Sequence, residues 1–211
     1  GQLSPQLATT VAISISTISL ILAFCLNIPF GLIALIYLGV NLAYSQILKH
    51  IVIIDVMIVA LGFVLRALAG GYLIGVEISA WLIVCTILLA LLLAFGKRRH
   101  ELVLLEDRAP SHRRTLDEYD PYLLDQMISI VTASTVVAYA LYTMAPEVET
   151  KLQTSHLNLT IPFVLYGIFR YLYLVHRKEQ GGNPTKMLLT DWPLLVNVGL
   201  WLLALVLILY L

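Results

Sequence analysis

The residues best suited to chemistry lie in one polar stretch, residues 96–122, of an otherwise apolar chain of 211 residues. This stretch holds six of the thirteen Lys and Arg residues. If it is helical, Lys97 and Glu101 stand one turn apart, with Arg98 beside them, so that a carboxylate is held next to cations. Such a set can bind phosphate through its cations and Mg2+ through its carboxylate. The alternative is a solvated basic anchor at a membrane surface.

Arg66 is a second candidate, because it lies in the middle of an apolar stretch. An unpaired charge there costs at least about 2.5–3.5 kcal/mol and requires a partner or water. Asp55, Gly62, Arg66 and Gly70 recur at helical spacing and so share one face. That face can be a cavity wall that receives an anionic substrate group, or Arg66 can form an ion pair with a neighbouring helix. Asp55 and Arg66 are about 16 Å apart along one helix and cannot pair with each other.

Two further apolar stretches combine tyrosine with basic residues. Tyr44 and Lys49 lie at the end of one, and Arg170, Tyr173 and Arg177 share a helical face of another. These sets can reach inward to a phosphorylated substrate. The alternative is ordinary placement of Tyr, Lys and Arg at a membrane interface.

Four acidic residues follow the basic run at Asp117, Glu118, Asp120 and Asp125. They could form a two-carboxylate metal site. However, Asp120 directly precedes Pro121, a pattern that predicts a helix N-cap, and the other acids suit the first turn of a helix.

The composition indicates an integral membrane protein. Hydrophobic residues make up 60% of the chain and charged residues 12%, against roughly 25% charged in a soluble domain. About 20 apolar residues span a bilayer as a helix. We therefore predict an all-α, polytopic membrane helix bundle, a single transmembrane domain over residues 1–211 with a cytoplasmic loop at 96–122. Its seven predicted spans run approximately over 7–26, 29–47, 51–74, 79–95, 123–143, 158–174 and 193–211.

Charge placement predicts the orientation. Alternating spans put ten Lys and Arg residues outside the spans on one side and only Lys151 on the other, so the basic side faces the cytoplasm. The net charge is zero, and no nucleic-acid partner is expected. No phosphate-binding P-loop, dinucleotide fingerprint or zinc-protease motif occurs in the sequence.

Three separated segments resemble the UbiA-type prenyltransferase superfamily, in its decaprenyl-phosphate phosphoribosyltransferase branch. They read YSQILKHIVIIDVMIVALGFVLRALAGG (44–71), AFGKRRHE (94–101) and YGIFRYLYLVHR (166–177). The resemblance implies a nine-helix bundle open to the cytoplasm of a bacterial inner membrane, with Mg2+ bridging an aspartate-rich motif to a donor diphosphate. The branch implies transfer of a 5-phosphoribosyl group from phosphoribosyl diphosphate to a polyprenyl (decaprenyl) phosphate, for cell-wall arabinan precursor synthesis.

One departure from the family pattern concerns the metal. The main aspartate motif, Asn-Asp-x-x-Asp-x-x-x-Asp, is absent from this sequence, which leaves Glu101 as the candidate ligand for Mg2+. Seven of the expected nine helices are present. We therefore expect the chain to be the C-terminal seven-helix portion of such an enzyme, with an N-terminal fragment of the same protein as a partner; a homo-oligomer is also compatible with such a bundle.

The resemblance also implies which residues contact substrate. The matched positions are Tyr44, Lys49, Asp55, Arg66, Lys97, Arg98, Glu101, Arg170, Tyr173 and Arg177. Two alternatives stay open at this point. One is a prenyltransferase of the same superfamily that attaches an isoprenoid to an aromatic acceptor, and the other is a non-catalytic membrane subunit.

Overall fold

The computed structural model describes residues 4–106, 118–178 and 182–210, and that part of the chain is helical with connecting turns. Short 3₁₀ turns at Leu48–His50 and Leu157–Thr160 precede the third and the seventh α-helix. The α-helices of the described residues are α1 (Pro5–Leu26), α2 (Ile28–Gln46), α3 (Ile54–Ile74), α4 (Ala80–Glu106), α5 (Pro121–Thr143), α6 (Pro146–Leu152), α7 (Ile161–Arg177), α8 (Pro184–Thr190) and α9 (Trp192–Tyr210).

Seven of these helices, α1 to α5, α7 and α9, are long and apolar enough to cross a membrane. The predicted all-α bundle with seven spans is confirmed, and the chain is a multi-pass membrane protein. The fourth span differs from its prediction, because α4 continues to Glu106 and makes residues 96–106 of the polar stretch helical. Lys, Arg, Glu and Leu dominate there, and all four are strong helix formers. Residues 107–117 lie outside the described residues.

Local signals mark where helices begin. Ser4 caps α1 by accepting a hydrogen bond from the Leu7 N–H at 3.3 Å. Asp120 occupies the predicted N-cap position of α5, but its side chain accepts no capping hydrogen bond. Pro121 at the first helical position has no N–H to satisfy, so this helix start relies on proline rather than on the carboxylate.

Each long helix packs chiefly on a long helix that is adjacent to it in the sequence, as the short connections predict. We call the end of the bundle that carries residues 47–53, 96–106, 118–120 and 182–191 the polar end. The main buried apolar cluster lies toward this end, among α3, α4, α5, α7 and α9. It includes Val56, Leu92, Phe95, Tyr119, Leu124, Ile128, Ile168, Tyr171, Leu174, Met187 and Leu194.

Gly96 on α4 makes room for the side chain of Tyr171, which lies on α7. A Cβ atom at this position would overlap the hydroxyl of Tyr171, so a larger residue requires the Tyr171 side chain or α4 to shift. The Tyr171 hydroxyl is buried and has no hydrogen-bond partner among the described residues. A buried hydroxyl without a hydrogen-bond partner lowers the stability of the folded state. This unpaired hydroxyl is the group that occupies the space beside Gly96.

We predict that Gly96→Ala lowers the free energy of unfolding by about 1–3 kcal/mol through overpacking. Tyr171→Phe removes the overlapping hydroxyl and the unsatisfied group together, so it should raise stability by about 1 kcal/mol and rescue Gly96→Ala in the double variant. Thermal unfolding in detergent measures both effects.

Tyr139→Phe is the matched control, since the Tyr139 hydroxyl accepts a hydrogen bond from Trp201 Nε1 at 3.1 Å and lies 2.8 Å from Thr160 Oγ1. It should destabilise the protein. If Tyr171→Phe destabilises as much as Tyr139→Phe, the Tyr171 hydroxyl has a partner and the prediction is wrong.

Candidate active site

Arg98 is the centre of a buried polar cluster at the polar end. It lies on α4 and is 6% exposed. Its Nε donates to Oδ2 of Asp55 at 2.7 Å, and one terminal nitrogen donates to Oε2 of Glu101 at 2.5 Å. The other terminal nitrogen lies 3.4 Å from the hydroxyl of Tyr44. One guanidinium therefore joins α2, α3 and α4.

Asp55 is almost completely buried, at 1% exposed, in the first turn of α3. Its carboxylate is satisfied on both oxygens, because Oδ2 accepts from Arg98 and Oδ1 accepts from the hydroxyl of Tyr119 at 2.9 Å. The start of a helix also favours a negative charge. These contacts explain how a carboxylate persists at a buried position.

Tyr119 completes the cluster from the segment that precedes α5, and sequence reasoning did not identify it. Its hydroxyl also accepts the Ile53 backbone N–H at 2.7 Å, and its ring is 4% exposed. Burial raises the pKa of Tyr119 above its ordinary value, and the neighbouring Asp55 carboxylate acts in the same direction. The phenol therefore stays protonated and donates to Asp55.

Lys97 provides an exposed cation at the edge of this cluster. Its Nζ lies 3.8 Å from Oε1 of Glu101, one turn away, and its side chain is 53% exposed. Glu101 thus lies between two cations, Lys97 on one oxygen and Arg98 on the other. Lys49 lies in the 3₁₀ turn that links α2 to α3, half-buried.

Arg66 lies apart from the cluster, although it shares a helical face with Asp55. Its guanidinium donates to the Tyr37 hydroxyl and stacks on the rings of Tyr37 and Phe63, with centroids 4.9 and 5.4 Å away. Within the described residues it forms no salt bridge, so the ion-pair interpretation of Arg66 is wrong for that part of the chain. The two residues on this face of α3 therefore have different surroundings. Asp55 is buried under α4, whereas Arg66 is exposed beside α2.

Arg170 forms a two-pronged ion pair with Asp191, which lies just before α9. The nitrogen–oxygen distances are 3.0 and 2.7 Å, and the guanidinium stacks on the Tyr173 ring at 5.1 Å. Arg177 is the exposed last residue of α7. Arg170 was predicted to reach inward to a substrate. In the structure it links α7 to the start of α9.

A third ionic group ties α4, α5 and α7 together at the polar end. Asp125 Oδ1 accepts from Arg99 Nε at 2.5 Å and lies 3.2 Å from His176 Nε2. Asp125 was assigned to the helix dipole of α5 from sequence, but it serves chiefly as the partner of Arg99. It lies on the next turn of α5 after Pro121, at the level where three helices meet.

The described residues do not build a Mg2+ site by themselves. They contain no group of three carboxylate, histidine or cysteine side chains placed to hold a metal. Both oxygens of Asp55 and one of Glu101 already accept hydrogen bonds from Arg98 or Tyr119. The predicted metal ligand, Glu101, is an ion-pair partner of two cations here.

The cluster is suited to holding a phosphate group through positioned cations. A guanidinium has five N–H donors, and Arg98 uses three of them on other residues of the described part of the chain, which leaves two there for a ligand. The fixed carboxylates set the plane of the guanidinium, so its remaining donors need no reorganisation when they bind. Lys97 adds an exposed positive charge beside them.

The chain belongs to the UbiA prenyltransferase family, whose model matches residues 1–192. It is 30% identical over its whole length to the decaprenyl-phosphate phosphoribosyltransferase of Corynebacterium glutamicum and covers 64% of that protein. It is 28% identical over 96% of its length to the enzyme of that name in Mycolicibacterium smegmatis, of which it covers 65%. A Mycobacterium tuberculosis protein of the same name is 30% identical over 67% of this chain and 47% of its own length. The chain thus spans slightly under two thirds of the first two relatives.

We predict that Arg98→Met lowers the free energy of unfolding by about 3–5 kcal/mol, because it leaves Asp55 buried without its cation. Adding Asp55→Leu should recover most of this loss. Denaturant or thermal unfolding in detergent measures both variants. Arg66→Met is the control, since Arg66 contacts no carboxylate among the described residues. A loss for Arg98→Met no larger than for Arg66→Met would show that the buried pair contributes little.

The Arg170–Asp191 pair predicts a pH dependence of stability. Hydrogen bonds from Arg170 lower the pKa of Asp191 below its ordinary value of 3.8, so the pair stabilises the folded state above that pH. The stabilisation is lost as pH falls through the folded-state pKa. Asp191→Asn should therefore melt below wild type at pH 6, with the difference shrinking below pH 3.8.

The control for this titration is Asp120→Asn, which changes an exposed carboxylate that makes no capping hydrogen bond. Its melting temperature should follow wild type at every pH. A difference between Asp191→Asn and wild type that stays constant from pH 6 to pH 3 would contradict the predicted role of the ion pair.

Proposed function

We propose that this chain carries the phosphate-binding part of a membrane transferase that moves a 5-phosphoribosyl group from phosphoribosyl diphosphate to a polyprenyl phosphate. The observation that carries the proposal is the Arg98 cluster, which holds a guanidinium in a fixed plane beside the exposed Lys97. The names of the similar proteins from Corynebacterium and Mycolicibacterium support the same donor and acceptor classes. Because this chain covers only part of those relatives, the proposal concerns the protein of which it forms all or part.

In the proposed reaction, the diphosphate of the donor meets Lys97 and the two remaining N–H donors of Arg98. An acceptor phosphate oxygen bonds to C1 of the ribose as the bond from C1 to the diphosphate oxygen breaks. Negative charge then develops on the departing diphosphate. Positioned cations stabilise this transition state more than they stabilise the bound donor. Asp55 acts through Arg98, by holding the guanidinium in place.

We propose that the diphosphate donor binds together with Mg2+, as donors do in this superfamily. The described carboxylates do not form a site for it, so no step of the proposed mechanism depends on a metal held by these residues. Within the described part of the chain, the positive charge proposed to meet the diphosphate comes from Lys97 and Arg98.

The polar end is proposed to face the cytoplasm of a bacterial inner membrane. Among the described residues, seven Lys and Arg residues lie at or near this end, and Lys151 lies at the other, in agreement with the positive-inside rule. The seven are Lys49, Lys97, Arg98, Arg99, Arg177, Lys178 and Lys186. Phosphoribosyl diphosphate is a soluble, charged donor, so a site at the polar end is open to it, whereas the apolar outer surface of the bundle accommodates a polyprenyl chain. The product would then serve as a precursor for cell-wall arabinan.

We predict that Lys97→Ala raises the KM for phosphoribosyl diphosphate about tenfold, the loss typical of one hydrogen bond to a charged group, while the melting temperature stays near that of wild type. The assay follows transfer of radiolabelled phosphoribose to polyprenyl phosphate in detergent with Mg2+ present. Lys186→Ala, an exposed cation on α8 at the same end, is the matched control and should leave KM unchanged.

The same preparation tests the proposed function against its rivals. A wild-type protein that uses a prenyl diphosphate with an aromatic acceptor, and does not use phosphoribosyl diphosphate, would support a conventional prenyltransferase instead. A protein that uses neither donor would support a non-catalytic subunit. Equal KM values in Lys97→Ala and Lys186→Ala would remove Lys97 from the donor site.

A further inference from the structure

The hydroxyl of Tyr119 joins two segments that are far apart in the sequence. It donates to Asp55 Oδ1 at 2.9 Å and accepts the Ile53 N–H at 2.7 Å. Tyr119 lies just before α5, whereas Ile53 and Asp55 form the start of α3, 64 to 66 residues earlier. A single phenol oxygen thus holds both the backbone and the side chain at the beginning of α3.

The backbone that Tyr119 holds is strained. Ile53 has φ 68° and ψ −45°, and the Ile54 N–H donates to the Val52 carbonyl oxygen at 2.8 Å, which together define the rarer, positive-φ type of γ-turn. A β-branched residue at positive φ is an outlier that persists only when its surroundings hold it there. The bond from the Ile53 N–H to Tyr119 is one such restraint, and it lies two residues before Asp55.

The second bond of Tyr119 determines how Asp55 meets Arg98. Tyr119 donates to Oδ1, and the guanidinium meets the other oxygen, Oδ2, through Nε alone. The terminal nitrogens of Arg98 are then directed to Glu101 and Tyr44. Without the phenol, the Asp55 carboxylate is free to turn both oxygens toward the guanidinium, in the two-pronged geometry that Arg and carboxylate favour. One terminal nitrogen would then join Nε on Asp55 and leave its present partner.

We propose that Tyr119 is a positioning residue, which sets the orientation of the Arg98 guanidinium toward the donor diphosphate by fixing the orientation of the Asp55 carboxylate through its Oδ1. This inference rests on the proposed function. Tyr119 itself does not contact the donor, because its hydroxyl is enclosed by Ile53 and Asp55. Its effect reaches the substrate through Arg98.

The test compares Tyr119→Phe with Tyr122→Phe in the purified protein. Tyr122 is 70% exposed on the first turn of α5 and serves as a control that also loses a tyrosine hydroxyl. Three quantities are measured: the KM and kcat for phosphoribosyl diphosphate, and the Kd for inorganic pyrophosphate, whose binding requires no turnover. We expect Tyr119→Phe to weaken pyrophosphate binding and to raise KM roughly tenfold each, with a smaller change in kcat, and Tyr122→Phe to match wild type.

Ile53→Gly separates this positioning role from simple support of the turn. Glycine adopts positive φ without strain, so Ile53→Gly combined with Tyr119→Phe should regain part of the melting temperature lost in Tyr119→Phe. The pyrophosphate Kd should stay weak in the double variant, since Asp55 still lacks its phenol. If Ile53→Gly restores affinity along with stability, Tyr119 acts only as a structural support and the proposal is wrong.

The outcomes for the two proposals are distinguishable. If the wild-type protein binds pyrophosphate but does not use phosphoribosyl diphosphate, the proposed function fails while the positioning role is still decided by the variants. If Tyr119→Phe and Tyr122→Phe bind pyrophosphate equally well, the positioning role fails while the proposed function stands. A wild-type protein that neither binds pyrophosphate nor uses the donor overturns both.

Discussion

The polar end of this bundle depends on a buried ion pair between Asp55 and Arg98. Taking either charge out of water costs several kcal/mol, and the attraction between them offsets that cost only when the remaining polar atoms are also satisfied. The structure meets this condition through neighbours, since Tyr119 takes the second oxygen of Asp55, and Glu101 and Tyr44 lie at the terminal nitrogens of Arg98. Four separate stretches of chain are thereby held at fixed positions around one guanidinium.

Three arginines in this protein illustrate different solutions to the same physical problem. Arg98 is buried and paired with carboxylates, Arg170 is paired with Asp191 between two helices, and Arg66 rests on aromatic rings and a phenol. The Arg170–Asp191 pair links α7 to α9 through two parallel bonds, whereas the bonds of Arg98 to Asp55, Glu101 and Tyr44 hold its guanidinium in place and leave two of its N–H donors. Arg66 keeps its full charge, because π faces attract a cation without neutralising it. These differences in pairing could not be read from the identical side chains.

Sequence reasoning predicted the fold well and the site in part. Runs of about 20 apolar residues have few alternatives to a membrane helix, so the seven spans were accessible, and the spacing of Lys97 and Glu101 correctly placed them on one helical turn. Of the ten positions that the family resemblance implied, the structure brings Asp55 and Tyr44 into contact with Arg98, while their contact with substrate stays a prediction.

The contribution of Tyr119 was missed, because no periodicity connects residues 64 positions apart. The acidic residues around Tyr119 were interpreted instead, as metal ligands or helix caps. The partner of Arg170 was missed for the same reason, since Asp191 lies beyond the end of its helix. Local patterns predict which face of a helix is polar. They do not predict which distant side chain meets that face.

The location of Asp55 in the first turn of α3 has a consequence for how the protein enters its membrane. Its cation is 43 residues further along the chain and its phenol is 64 residues further, so both are synthesised later. A carboxylate in the middle of a helix would lie in hydrocarbon without these partners until they were synthesised. A carboxylate at the end of a helix can remain hydrated at the membrane surface until α4 is inserted. The order of synthesis therefore favours a polar cluster at the rim of the bundle, and it makes the arrival of α4 the event that withdraws Asp55 from water.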